Sequence, residues 1–375
     1  MVDVAKDRAD GSLAMAGISV QKIMKRMYEE AVHGRCSDIH MEPEEESLTI
    51  RFRIDGRLWK WERLDGSWKE RLLSYVKLSS GMDIGERRLP QDGRMDIVMD
   101  GRTIDCRVSV MPTAWGEKAV IRILDEKQSL YDLNGLGMLT KEREMLTELI
   151  QRQSGLILVS GATGSGKSTT LYALLQEMNR EELNIVSIED PIEYHIQGVS
   201  QTQVNPKAGL FFYTGLRGLL RQDPDVILIG EIRDEETAKT AVQAALTGHL
   251  VLSTIHAGSA AGAARRLIEM GIPAYEAADA LCACVFQCLV RTICPACHGA
   301  GCAYCRSSGY SGRSPVFEVM PIHAEMAQCL RSGGSADALW KLAVQAGARS
   351  IGAYGEELIA MKRTDRKEME RVRRR

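Results

Sequence analysis

The stretch GATGSGKST, residues 161–169, follows the apolar run Leu156–Ser160 and opens a segment of helical pattern that runs to about Asn179. Its first eight residues match G-x-x-x-x-G-K-[ST], the phosphate-loop pattern. Glycines at 161, 164 and 166 let backbone N–H groups approach a phosphate chain and point at it. A helix opening at Lys167 adds the positive end of its dipole. Lys167 then reaches the β- and γ-phosphates, and the Ser168 hydroxyl ligates Mg²⁺. Thr163, Ser165 and Thr169 complete the loop around the nucleotide. A glycine- and serine-rich turn could match by accident, but a strand before and a helix after are the context that the pattern requires. A nucleoside triphosphate, ATP, and Mg²⁺ are the expected ligands.

Beyond residue 169 the pattern alternates. Ile185–Ile188, Val226–Ile229 and Leu250–Thr254 are short apolar runs, and Phe211–Arg221 and Thr237–Leu246 carry helical spacing between them. Near-continuous apolar strands separated by helices mean a parallel sheet buried on both faces. The spacing predicts an α/β domain over residues 138–290, with a helix at Lys141–Gln151 ahead of its first strand. Cys282, Cys284 and Cys288 fall in an apolar stretch that reads as helical, where core packing suits them. Residues 291–313 are a Cys/Gly-rich insertion, and 314–375 reads as a helical C-terminal part.

Residues 126–137, with Asp, Gln, Ser, Asn and two glycines, read as a linker. Ahead of it, residues 1–125 read as a small α+β domain. An amphipathic helix is expected over Ile18–Val32 and a second over Trp68–Ser80. Two hairpins are expected about Asp55-Gly56 and Asp100-Gly101, and a strand at Val120–Leu124. Residues 1–16 are expected to be poorly ordered; they hold acidic residues and no apolar core of a secretory signal.

Other motifs surround the phosphate loop. In Asp223–Glu231, DPDVILIGE, four apolar residues lead to a strand-end acid, as in a Walker B motif. Gly230 stands where a magnesium-binding Asp is usual, and Glu231 follows it. Ile188–Glu193, IEDPIE, puts three carboxylates after another strand, at the edge where α/β sheets bind ligands. Glu189 and Asp190 suit either an N-cap and turn before Pro191 or work on the nucleotide. His249 and His256 flank one strand; they either sense the γ-phosphate or complete a polar rim. Arg94, Arg102 and Arg107 surround one hairpin and are either solvated or offered to a γ-phosphate from another domain or subunit. Cys294, Cys297, Cys302 and Cys305 form two CxxC pairs four residues apart, a spacing that can close a tetrahedral Zn²⁺ site.

Bulk composition excludes several classes. The formal net charge of −2 supplies no global basic field for nucleic acid. No apolar run approaches the ~18–20 residues that span a bilayer. The expectation is a cytoplasmic chain whose ten cysteines are thiols or metal ligands rather than disulfides. The basic tail Lys362–Arg375 is either a frayed solvated end or a contact for acidic lipid or a partner.

Taken together these marks resemble the secretion and type IV pilus assembly ATPases, a family that includes general secretion pathway protein E, the pilus extension motor and the competence pilus motor. The resemblance covers about residues 36–320. It rests on CSDIHMEP (36–43), IRFRIDGRL (50–58), RLPQDGR (88–94) and RVSVMPTAWGEKAVIR (107–122). It continues through GATGSGKSTTLY, IEDPIEY (188–194), LRGLLRQDPDVILIGEIRD (216–234), TGHLVLSTIHA (247–257), the cysteine pairs and GYSGR (309–313).

The resemblance implies a RecA-like P-loop domain, a smaller PAS-like α+β domain and a homohexameric ring. The ring would sit peripherally on the cytoplasmic face of the inner membrane, against a polytopic platform protein. It would power assembly of a type IV-like pilus, a competence pseudopilus or a type II secretion pseudopilus. It implies Glu189 as the water-orienting base, Glu231 as the Walker B acid and His249 with His256 as a histidine box. Arg94 and Arg107 resemble N-domain arginines that reach nucleotide, and Arg217, Arg221 and Arg233 resemble further arginines of the ring. The four cysteines resemble a zinc site that marks assembly rather than retraction motors.

The chain departs from the family at Ala162, usually Pro, at Cys288, usually Arg, and in the shorter loop between its cysteine pairs. After Pro321 the match fades, and the docking domain of larger members is not seen, so the short competence type is the nearest likeness. The alternatives are a retraction ATPase, against which the cysteines speak, and a zinc-containing nucleic-acid translocase, for which the basic–aromatic stripe is missing.

Overall fold

The computed structural model describes residues 19–125 and 132–373. The expected disorder of residues 1–16, the first half of the linker and the last two arginines lie outside the described residues. The chain divides into two compact units between residues 125 and 126.

In the first unit, α1 (Val20–His33) is capped by the Ser19 hydroxyl, which accepts from the Lys22 N–H at 3.3 Å. Its buried residues Ile23, Met24, Met27, Tyr28 and Ala31 form one stripe. The strands β1 (Cys36–Pro43), β2 (Ser47–Ile54), β3 (Arg57–Asp65), β4 (Gln91–Met99), β5 (Arg102–Thr113) and β6 (Gly116–Leu124) build one antiparallel sheet, in the order β3-β2-β1-β6-β5-β4. Both expected hairpin turns have positive φ at their two central residues, Asp55 and Gly56, Asp100 and Gly101. That is the twist-matched geometry which favours Asp-Gly. α1 and α2 (Trp68–Ser79) bury Ile39, Met41, Ile50 and Phe52 on one sheet face. The other face carries Asp38, His40, Glu42, Arg51 and Arg53 at the alternate positions.

The second unit starts with α3 (Thr140–Leu149). Its sheet takes β7 (Gly155–Ser160), β8 (Ile185–Glu189), β9 (Val199–Gln203), β10 (Val226–Ile229), β11 (Leu250–Ile255), β12 (Leu281–Ile293) and β13 (Tyr310–Pro321). The order is β13-β12-β7-β11-β10-β8-β9, parallel throughout except for β13. Alternate residues feed two cores. Leu156, Leu158, Ile227, Ile229 and Val251 enter one, and Ile157, Val159, Val226, Leu228, Leu250 and Leu252 enter the other. The helices α4 (Lys167–Met178), α5 (Phe212–Leu219), α6 (Glu235–Leu246), α7 (Ala260–Glu269) and α8 (Ala274–Ala280) accompany these strands.

Two expectations fail here. The Cys282–Cys288 stretch is strand, not helix: β12 pairs with β7 on one side and with β13 on the other. A short apolar run buried on both faces has neither period, so spacing cannot tell the two apart. The C-terminal part also opens with a strand, because Ser314–Pro321 continues β13 before the helices α9 (Ala324–Arg331), α10 (Ala336–Gln345), α11 (Ile351–Ala360) and α12 (Arg366–Arg373).

The basic tail is not frayed as far as Arg373. Glu368 of α12 is 1% exposed and accepts from the Arg291 guanidinium of β12 at 2.8 Å and from the Arg291 N–H at 3.1 Å. Thr364 donates to the Arg291 carbonyl, and Tyr310 donates to Asp365 at 2.6 Å. Burial raises the Glu368 carboxyl, but the donors from Arg291 and Arg371 outweigh it and hold it at about 2. A folded value below the unfolded one stabilises above about pH 4.5, and the contribution is lost as pH falls towards 2. Glu368→Ala leaves Arg291 buried and unpaired, so a loss of ~3–5 kcal/mol is expected. Urea unfolding followed at pH 7 and again at pH 3 checks it: the gap between wild type and variant should narrow at the lower pH.

Candidate functional site

β7 is buried along its whole length, so the chain leaves it in a fixed direction at Gly161. Gly161, Gly164 and Gly166 all have positive φ, which is why glycine is needed at these turns. α4 begins at Lys167, and its exposed Ser168 lies in the first turn. Lys167 Nζ donates to the carbonyls of Gly161 and Ala162 at 2.9 and 3.1 Å. Burial lowers the Lys167 pKa while the nearby Glu231 carboxylate pushes it back up. Thr163 and Gly164 are exposed, Ser165 is buried and Thr169 half-buried.

Glu231 stands just past the carboxyl end of β10, at the same sheet edge. One of its oxygens lies 2.8 Å from His256 Nε2, the other 2.8 Å from Arg233 Nε. His256 follows β11, and Thr254 Oγ1 donates to the Gly230 carbonyl at 2.8 Å, which fastens this turn to β11. The missing Asp has a steric counterpart. A Cβ at Gly230 would sit 3.3 Å from Glu189 Cα and 3.4 Å from the Ile188 carbonyl oxygen.

Glu189 ends β8, yet the structure does not leave it as an open base. It is 4% exposed, and its carboxylate accepts from the hydroxyls of Tyr172 and Ser187 and from Gln201 Nε2. Burial and the Glu189 charge both keep the Tyr172 phenol protonated. Asp190, next along, is exposed.

His249 is not brought to this edge. It precedes β11, with Nδ1 3.0 Å from the Ala244 carbonyl, and its own carbonyl accepts from Gly155, the first residue of β7. Six strand residues at ~3.3 Å each separate it from His256, about 20 Å. Arg217 and Arg221 also lie at the far edge. The turn after them is bonded to Asn184, just before β8. Arg217 lines an open cavity with Thr240, Gln243 and Thr247. Only Arg233 of the three is beside Glu231.

In the first unit Arg94 faces Arg107 across β4–β5, and Arg107 faces Arg122 across β5–β6. Arg122 Nε donates to Asp38 at 3.0 Å. Like charges directly opposite one another are unfavourable unless an anion meets them.

The four cysteines converge. Their sulfurs all lie within 4.8 Å of one another, with Cys294–Cys302 at 3.9 Å and Cys297–Cys305 and Cys302–Cys305 at 3.7 Å. Four thiolates ~2.3 Å from one tetrahedral ion stand about 3.8 Å apart, so the donor set fits zinc. Backbone N–H groups of Gly301, Cys302 and Gly309 point at Cys297 or Cys305 sulfur. Desolvation raises the Cys305 thiol, but N–H donors from Cys302 and Gly309 outweigh it and bring it to about 6.

Sequence reasoning missed Gln287, Tyr172, Ser187 and Gln201, which touch the loop or the acidic rim. None belongs to a motif of charged or metal-binding residues, and their role shows only in the hydrogen bonds. Among the described residues no helix is long and apolar enough to cross a membrane.

Known proteins resemble this chain in sequence and in fold. The chain is 46% identical over 337 residues to Type II secretion system protein E of Dickeya dadantii, covering 84% of this chain and 68% of that protein. It is 43% identical over 345 residues to Type II secretion system ATPase E of Vibrio cholerae, 85% and 69% covered. The Legionella pneumophila ATPase DotB has the same fold, with a TM-score of 0.73 at 22% identity over 93% of this chain and 95% of its own. The pilus retraction motor PilT, solved with ADP, gives 0.60 at 25% identity over 92% and 98%. A profile of the Type II/IV secretion system protein family matches residues 15–371, and the chain belongs to that family.

Proposed function

We propose that this chain is an ATP-hydrolysing subunit of a homohexameric motor that powers assembly of a type IV-like pilus, a competence pseudopilus or a type II secretion pseudopilus. The observation that carries the proposal is the convergence of Lys167, Ser168, Glu231, Arg233 and His256 on one sheet edge, in a chain so similar to secretion ATPases. ATP lies along the loop, with its phosphates at the N–H groups of residues 161–169. Ser168 and, through water, Glu231 hold Mg²⁺. Glu231 takes the place beside the attacking water, because its partners Arg233 and His256 are more than half exposed and cost only about 0–1 kcal/mol each to rearrange. Glu189, sealed by three donors, braces the rim.

Arg94 and Arg107 supply cations to the nucleotide from the first unit. Arg217 and Arg221, at the far edge, serve a neighbouring subunit, as does His249. The ring works peripherally at the cytoplasmic face of the inner membrane against a polytopic platform protein. No nucleic acid enters the cycle. Phosphate release by the purified chain should require Mg²⁺ and rise with ring formation, seen as a six-copy mass by light scattering. A monomer with undiminished turnover would sink the ring.

Zinc occupies the four-cysteine knuckle, and the knuckle supports assembly over retraction. Metal analysis should find about one zinc per chain, lost in Cys297→Ser with Cys302→Ser. Cleanly purified protein without zinc would remove this part.

A further inference from the structure

Gln287 lies in the middle of β12, beneath the phosphate loop, and is 2% exposed. Its Nε2 donates to the Ser165 carbonyl at 2.7 Å, and its Oε1 accepts from Thr170 Oγ1 at 2.7 Å. Thr170 belongs to the first turn of α4. The side-chain amide therefore bridges the tip of the loop and the helix that follows it. The loop lies close on this residue: a Cβ at Gly161 would meet the backbone carbonyl oxygen of Gln287 at 2.3 Å, and one at Gly166 would meet Nε2 at 2.8 Å.

We propose that Gln287 is a positioning residue for nucleotide binding, which aims the Gly166 N–H into the phosphate cradle by holding the Ser165 carbonyl away from it. The reasoning is geometric. The 165–166 peptide is trans, so its C=O and N–H point in opposite directions. Fixing the carbonyl on Gln287 fixes the N–H on the other side. The Thr170 hydroxyl settles which end of the amide faces the loop. With the amide reversed, its oxygen would oppose the Ser165 oxygen and lose the only donor there. A loop of three positive-φ glycines has no stiffness of its own to hold this orientation. Gln287 supplies it from a strand paired on both sides.

The inference rests on the reading of residues 161–169 as an ATP site. An N–H aimed at a phosphate present in ATP and ADP alike contributes uniform binding. Its loss raises KM and leaves kcat nearly unchanged. A merely structural role would instead lower the active fraction, and with it the apparent kcat at constant KM.

The test uses the full-length chain, with phosphate release for KM and kcat and a ribose-labelled fluorescent ADP for affinity. Gln287→Leu should raise both KM and the ADP Kd about tenfold. Gln287→Glu, nearly isosteric, turns an acidic oxygen on the Ser165 carbonyl and should do worse. Thr170→Val, which only unlocks the amide, should raise KM about fivefold, the equivalent of about 1 kcal/mol. If the Gln287 variants do not fold, Thr170→Val decides alone. KM within twofold of wild type in the folded variants, or a fall confined to kcat, overturns the proposal. Failure of the wild-type chain to bind the labelled ADP would instead overturn the ATP-site reading itself.

Discussion

Lys167→Ala should abolish ATP hydrolysis while the protein keeps its fold. The ammonium is the one cation that the phosphate loop carries at its own helix start. It begins the helix that follows β7, at the sheet edge where Glu231 also stands and where the proposed mechanism puts the γ-phosphate. Removing a single neutral donor from a developing oxyanion costs ~10²–10³ in rate. A full charge beside a phosphoryl group in transfer contributes more, so turnover is expected to fall below detection. The fold should tolerate the change. Lys167 is half-buried, and among the described residues its ammonium bonds to two loop carbonyls that the solvent at this exposed loop can satisfy. Phosphate release and thermal melting measured on the same preparation separate the two effects. Wild-type-like turnover would sink the proposed mechanism, whatever the melting curve shows.

The features that were legible in the sequence are those with a local cause. GATGSGKST requires its glycines, and the turn φ values bear that out. The parallel sheet was readable because a strand covered on both faces admits no polar alternation, as in β7 and β10. The cysteine pairs converge because two CxxC turns present their sulfurs together.

What was hidden depends on contacts between distant residues. The Cys282–Cys288 run becomes strand because β7 and β13 offer it partners, one of them 125 residues away in sequence. The tail is helical because Glu368 meets Arg291, a pairing that its run of basic residues does not announce. His249 and His256 look alike along the chain, yet opposite ends of one parallel strand put them on opposite sheet edges. Glu189 and Glu231 are likewise both strand-end acids. Only the placement of Tyr172, Ser187 and Gln201 distinguishes the sealed one from the accessible one.

That distinction gives the second large effect. Glu231→Gln should bind ATP close to normally and turn it over ~10²–10⁴-fold more slowly, the range in which a positioned base contributes to proton transfer. The substitution keeps the shape and one acceptor oxygen, turns the other end into an NH₂ donor and removes the charge. Arg233 loses an ionic partner and His256 a hydrogen-bonding one, but both are more than half exposed, so the cost to stability is small. Binding survives because the loop N–H groups and Lys167 are untouched. Glu189→Gln, in contrast, puts an amide NH₂ among the donors Tyr172, Ser187 and Gln201, leaving one of them without an acceptor in a buried place. Its main expected effect is a lowered melting temperature, about 1–3 kcal/mol for an unsatisfied buried group. Single-turnover hydrolysis and melting of the two variants, side by side, test the division of labour. Loss of ATP binding in Glu231→Gln would make that residue structural. A Glu189→Gln protein that melts like the wild type but hydrolyses as slowly as Glu231→Gln would return the water to Glu189, and would mean that its three donors let go during the cycle.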